Sequence, residues 1–259
     1  MVASQLRANA RESLKGKWGK AALLTLSYFI IYLVISFVLN LIPVIGYIAS
    51  IVISLPISFG LLASFIKLKR DEEIGYTDFL NLGFSNFGKV WAVFGNMILK
   101  MIVPFVLVVV FIFVFAFGMG SSAASLFATT YGYSSYMGSA AGFSLVALIG
   151  FVGYIVSLIY MVIKGYLYSL SYYILFDNPD KTGKEIVEES ASLMKGNRWS
   201  FFWLGLTFIG WAILSVFTLY IGMLWLMPYM MVAMVCFYEA LTNKTATQKV
   251  EESNPIVEG

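Results

Sequence analysis

Histidine is absent from this chain of 259 residues, cysteine occurs once, and only 12% of the residues are charged. Without imidazole there is no Ser-His triad, no His-ligated metal and no His proton shuttle. The one thiol, Cys236 in an apolar stretch, excludes an intramolecular disulfide and a thiolate metal cluster. A Gly-rich phosphate loop of the GxxxxGK type is also missing, as is a dinucleotide fingerprint after a strand-like run. A soluble domain carries roughly 25% charged residues, about twice the share found here. What is abundant is apolar: 60% hydrophobic residues, including 22 Phe, 16 Tyr and 6 Trp. In water that surface would form large apolar patches, so the bilayer is the solvent that fits.

Crossing about 30 Å of hydrocarbon takes roughly 20 apolar residues in a helix. Six such runs occur, at 21–42, 44–66, 101–118, 143–163, 199–221 and 223–239. They are too long for barrel strands and do not alternate, and in lipid an uninterrupted helix satisfies its own backbone. The fold class expected is all-α, a polytopic membrane protein with six transmembrane helices as three hairpins. The first run is too long for a signal core, and the next follows at once, so it is expected to stay in the mature protein. All 17 Lys and Arg residues fall on one side of this threading, and 101–163 holds no charge of either sign. By the positive-inside rule both termini are cytoplasmic and the outer face is three uncharged turns. A net charge of +3 distributed this way is no argument for nucleic acid. Turns one and three are tight, at 42–44 and 220–222. The second is an outer loop at 118–142 with Tyr131, Tyr133 and Tyr136, either a connector with tyrosines at headgroup level or a ligand contact.

Each hairpin is preceded by a segment with helical amphipathic spacing. Leu6, Ala10, Leu14 and Trp18 form an apolar stripe beside Arg7, Arg11 and Lys15. Such a pair of stripes suits an interfacial helix on anionic lipid. Segment 183–196 repeats the pattern with Ile186, Val187, Ser190, Leu193 and Met194, and Thr182 offers a start signal. The middle copy, about 77–89, is looser. The junctions are alike too: Leu14-Lys15-Gly16-Lys17-Trp18 resembles Met194-Lys195-Gly196-Asn197-Arg198-Trp199, and Phe87-Gly88-Lys89-Val90-Trp91 is a weaker echo. A glycine ends the interfacial helix, and cations and Trp anchor at the boundary. Duplication and convergence both account for this. The organisation expected is an amphipathic helix at 1–20, one membrane domain at 21–241 and a flexible cytoplasmic tail at 242–259.

Lys100 and Lys164 are the cations nearest the apolar runs, placed either to snorkel or to bind an anion or lipid phosphate. Past Lys164 the fourth span continues as a Tyr- and Ser-rich helix through Tyr168 and Tyr172 to Asp177. Glu239 ends span six; if buried it needs a partner such as Lys164 or Arg198. Two carboxylates can serve acid-base chemistry, but no nucleophile accompanies them. Lys100, Lys164, Tyr168, Tyr172, Asp177, Arg198 and Glu239 are therefore the candidate ligand or headgroup residues, and Arg7, Arg11, Lys15, Trp18, Lys195 and Trp199 the interfacial anchors. Pro56, Pro104 and Pro228 interrupt three spans, and Gly150, Gly153, Gly205 and Gly210 permit close helix contact.

Tyr173-Ile174-Leu175-Phe176-Asp177-Asn178-Pro179, Glu189-Ser190, Leu193-Met194-Lys195-Gly196-Asn197, Phe208-Ile209-Gly210-Trp211, Trp225-Leu226-Met227-Pro228-Tyr229 and Phe237-Tyr238-Glu239 follow in order. With Leu6-Arg7, Ala10-Arg11 and Leu14-Lys15-Gly16, this resembles the bacterial "domain of unknown function 975" family of integral membrane proteins. In layout it is more remotely similar to the membrane domain attached to some glycerophosphodiester phosphodiesterases. The resemblance implies a bacterial plasma-membrane location and transfers no catalytic residue. The expectation is a non-enzymatic accessory or structural membrane factor that binds anionic lipid and a partner, or a second copy of itself, with no cofactor and no metal. The alternative is a small transporter or lipid-handling protein with a site at the cytoplasmic boundary of spans three, four and six; an intramembrane enzyme ranks last.

Overall fold

Among the described residues of the computed structural model (3–42, 44–131 and 137–253) the chain forms ten helices and no strand. They are α1 Ala3–Ser13, α2 Trp18–Asn40, α3 Ile45–Lys69, α4 Asp78–Ser85, α5 Phe87–Thr130, α6 Met137–Leu167, α7 Ser171–Asp177, α8 Gly183–Met194, α9 Arg198–Phe217 and α10 Met223–Ser253. Six helices, α2, α3, α5, α6 with its extension, α9 and α10, are long and apolar enough to cross a membrane.

Several boundaries differ from the sequence reading. Most of 118–142 is helical, because α5 runs on to Thr130 and α6 begins at Met137; small residues such as Ser121 and Ala123 sustain a helix as well as a loop. Tyr133 and Tyr136 lie outside the described residues. The helix expected from Lys164 through Phe176 is broken at 168–170, between α6 and α7. The middle amphipathic segment ends at Ser85, and Phe87–Lys89 already belong to α5. Helix α10 continues through Ser253 into the expected tail, whose last residues, 254–259, lie outside the described set.

The chain divides into two units, 1–96 with 167–259, and 97–166. In the first, α3 and α10 form the core. Ile57, Leu61, Phe65 and Ile66 of α3 and Val232, Ala233, Val235 and Phe237 of α10 are at most 1% exposed. Gly60 and Gly83 let α4 lie against α3: a methyl on Gly60 would stand 1.8 Å from the Phe79 carbonyl oxygen, and one on Gly83 2.2 Å from that of Pro56. Pro56 has no N–H, so it leaves the carbonyl of Val52 without its helical donor. The indole N–H of Trp91 donates to that carbonyl at 3.2 Å. Likewise the break after α6 is closed by Ser190 of α8, whose hydroxyl accepts from Leu170 N–H at 3.2 Å and donates to Leu167 O at 2.8 Å.

The amphipathic stripes turn toward protein. Leu6, Ala10 and Leu14, Phe79, and Ile186, Val187 and Met194 are at most 4% exposed. Helix α8 starts with the expected cap at Thr182, which forms a reciprocal capping box with Glu185. The two junctions singled out in sequence share one geometry. Gly16 and Gly196 both adopt left-handed backbone, φ +79° and +85°, and Lys17 N–H donates to Leu14 O as Asn197 N–H does to Met194 O. The middle echo does not share it, since Gly88 is an ordinary residue within α5.

In the second unit α5 and α6 meet through glycine. A methyl on Gly118, Gly150 or Gly153 would lie 2.1–2.4 Å from Ala147, Phe115 or the Phe111 ring respectively. Gly205 and Gly210 of α9 face open space, so the small residues of span five do not serve this purpose.

Candidate functional site

Helix α3 ends in Lys69 and Arg70 because the next residue, Asp71, takes the left-handed conformation (φ +61°) that stops a helix. Glu72 N–H then closes on Lys67 O at 3.0 Å. The amine of Lys17 donates to the free carbonyl of Leu68 at 3.1 Å and pairs with Asp71, a cation placed at the negative end of the helix dipole.

From that helix end, Arg70 reaches two other elements. Its guanidinium donates to both oxygens of Asp177 at the end of α7, Nη1–Oδ1 2.6 Å and Nη2–Oδ2 3.0 Å, and its Nε to Glu239 Oε1 of α10 at 3.3 Å. The amine of Lys69 donates to Glu239 Oε2. The hydroxyl of Tyr238 donates to Asp177 Oδ2 at 2.9 Å. All four carboxylate oxygens are therefore accepting, two cations balance two anions, and one node ties α3, α7 and α10 together. The hydrogen bond to Asp177, ahead of the opposing effect of burial, pushes the Arg70 guanidinium above its ordinary pKa, so it stays charged at every working pH.

The partner expected for Glu239, Lys164 or Arg198, is not the one found; Lys69 and Arg70 take that place. Asp177 joins Glu239 as the sequence reading grouped them, but their cations come from the end of span two. Arg198 opens α9 and is half-buried. Tyr168 is buried, and Tyr172 packs on Phe59 with ring centroids 6.1 Å apart and a buried hydroxyl that has no hydrogen-bond partner among the described residues. Lys100 and Lys164 belong to the other unit, where Lys164 lies over the Tyr160 ring at 5.6 Å. Among the anchors, Lys15 and Lys195 are exposed, and Trp199 is exposed and stacked on Phe202. Sequence reasoning missed Lys69, Arg70 and Tyr238. The available signal was charge at the ends of helices and apolar runs, since Asp177 closes α7, the basic pair closes α3, and Glu239 follows the apolar run of α10.

A cavity of about 530 Å³ lies elsewhere in the first unit. Arg7 and Arg11 of α1 form one wall, with Trp18; Trp211, Trp225 and Tyr229 of the α9–α10 pair form the other, which extends to Thr218 and Gly222 of their turn. The turn is set by left-handed Leu219 and Tyr220. Tyr229 O–H donates to Arg7 O at 3.4 Å and its ring stands 6.1 Å from Trp18. The expected threading has α1 and this turn on opposite faces, yet seven residues, or about 10 Å of helix, separate Gly222 from the residue bonded to α1. Apolar length measured along a sequence does not report which way a helix leans.

Six apolar helices joined without strands define a multi-pass helical membrane protein. Residues 1–245 match the family model described as "Protein of unknown function (DUF975)", and the chain belongs to that family. No curated protein and no solved structure matches it.

Proposed function

We propose that this protein is a non-enzymatic accessory factor of the bacterial plasma membrane, with both termini cytoplasmic, that holds anionic lipid and a protein partner. The observation that carries the reading is that each oxygen of Asp177 and Glu239 accepts from Arg70, Lys69 or Tyr238. A general acid or base, or a proton-coupled carrier, needs a carboxylate with a free oxygen toward its substrate; here every oxygen already has a donor. The lipid-handling alternative draws on a different observation, the Arg- and Trp-lined cavity, which has the polarity of an amphiphile site.

The test is reconstitution of the full chain in vesicles of phosphatidylglycerol and phosphatidylethanolamine. Phosphatidylglycerol is expected to be enriched in the material extracted with the protein. Proton or solute counterflow is expected at the level of protein-free vesicles. Flux above that level that disappears in Asp177→Asn or Glu239→Gln would overturn the accessory reading in favour of transport.

A further inference from the structure

Two arginines of α1 open into a space whose remaining walls are largely indole, phenol and aliphatic carbon. Among the described residues no acidic side chain lines the cavity. Arg7 Nε is buried with no hydrogen-bond partner among the described residues, and a buried guanidinium nitrogen left unpaired is costly. The other end of the cavity is open through side chains that face outward: Trp211, Leu214 and Trp225 are 56%, 56% and 48% exposed. The approach is thus apolar and the terminus cationic. A volume of about 530 Å³ falls within the roughly 300–1,000 Å³ of small-ligand cavities.

We infer that this cavity is a site for one anionic phospholipid, its phosphate between Arg7 and Arg11 and one acyl chain along Trp211, Leu214 and Trp225. The inference rests on the reading of the chain as an anionic-lipid-binding protein and gives that reading a place. The guanidinium forks of Arg7 and Arg11 suit phosphate oxygens. Free phosphate meets the same arginines but leaves the indole wall uncovered, so the lipid is the occupant. The apolar stripe of α1 is already covered by protein, so its arginines act at a discrete site and not as the wet face of a helix floating on the bilayer.

The experiment uses the full chain in a mild detergent, titrated with dioleoyl phosphatidylglycerol, dioleoyl phosphatidylcholine and glycerol 3-phosphate and read by native mass spectrometry. Wild type is expected to retain one phosphatidylglycerol, with phosphatidylcholine about tenfold weaker, because its choline ammonium is repelled by the two guanidiniums that meet the shared phosphate. Arg7→Gln with Arg11→Gln is expected to lose at least about tenfold in affinity for phosphatidylglycerol. Leu214→Trp, which narrows the apolar wall and keeps both arginines, is expected to lose the lipid as well. Lys184→Gln, an exposed cation of α8 away from the cavity, is expected to keep it. If the double variant fails to fold, Leu214→Trp decides the matter alone. Should wild type prefer phosphatidylglycerol while both cavity variants bind it unchanged, the site is wrong and the wider lipid reading stands. A wild type with no preference for anionic lipid removes both. Displacement of the lipid by glycerol 3-phosphate at similar concentration overturns the lipid as occupant.

Discussion

Replacing Arg70 by Met removes three hydrogen bonds to two carboxylates, together with the guanidinium that lies over the Phe176 ring. The cost follows from burial. Side chains of Arg70, Asp177 and Glu239 are 31%, 25% and 21% exposed, so water rehydrates the stranded carboxylates only in part. An open surface pair is worth about 0.2–1 kcal/mol, and breaking a fully buried one costs about 3–5 kcal/mol. The node lies between them, at about 2 kcal/mol. For a chain of this size that corresponds to roughly 4–8 °C in Tm, read by thermal unfolding in one detergent. Lys67→Met is the matched control, because Lys67 meets Glu72 at 3.5 Å with the carboxylate 46% exposed, and it should cost about 0.5 kcal/mol. Combining Arg70→Met with Asp177→Asn should cost less than the sum of the two, since both break the same bonds. If Arg70→Met shifts Tm no more than Lys67→Met does, the node is a surface decoration and the carboxylates are free for other chemistry.

Trp91→Phe should cost about 1–3 kcal/mol by leaving the Val52 carbonyl without a donor, and distinctly less in a Pro56→Ala background, where the helix N–H returns; equal costs in both backgrounds refute the pairing. The Glu185 carboxyl is held below its ordinary value chiefly by the backbone N–H of Thr182. Its contribution to the start of α8 is therefore present above the usual carboxylate range and lost as pH falls through the lowered value. Amide exchange at Ile186, corrected for intrinsic rate, should rise on acidification, and Glu185→Gln should abolish that dependence. Gly150→Leu should separate α5 from α6 by forcing a side chain where a methyl already stands 2.4 Å from Phe115; retained cross-linking between cysteines placed at Phe115 and Phe151, whose rings stand 5.7 Å apart, would show that the glycine contact is dispensable.

Apolar run length found all six long helices, since a helix in lipid must carry its own hydrogen bonds and this writes itself into composition. The caps at Thr182, Gly16 and Gly196 were legible for a related reason, being local backbone chemistry. Contacts between distant segments were not. Lys69 and Arg70 read as ordinary cations flanking a span, and nothing in their neighbourhood announces Asp177, 107 positions away from Arg70. The stripes of α1 and α8 were read correctly as stripes but assigned to lipid, because periodicity shows that a face is covered and not by what. Serine-rich 118–142 read as a loop because its small residues leave helix and coil close in energy.

The uneven sheathing of the long helices has a consequence for how damage to this protein would present. Inside their most apolar stretches, 44% of α3 and 50% of α10 is buried, against 6–17% for the other four. Polar replacements along α5 meet hydrocarbon and would be caught early, while the segment partitions out of the translocation machinery. Replacements along α3 meet other side chains, so the variant would enter the membrane normally and fail afterwards, at assembly. Two classes of loss are thus written into one hydrophobic chain, separable by asking whether the defective product is found in the membrane fraction at all.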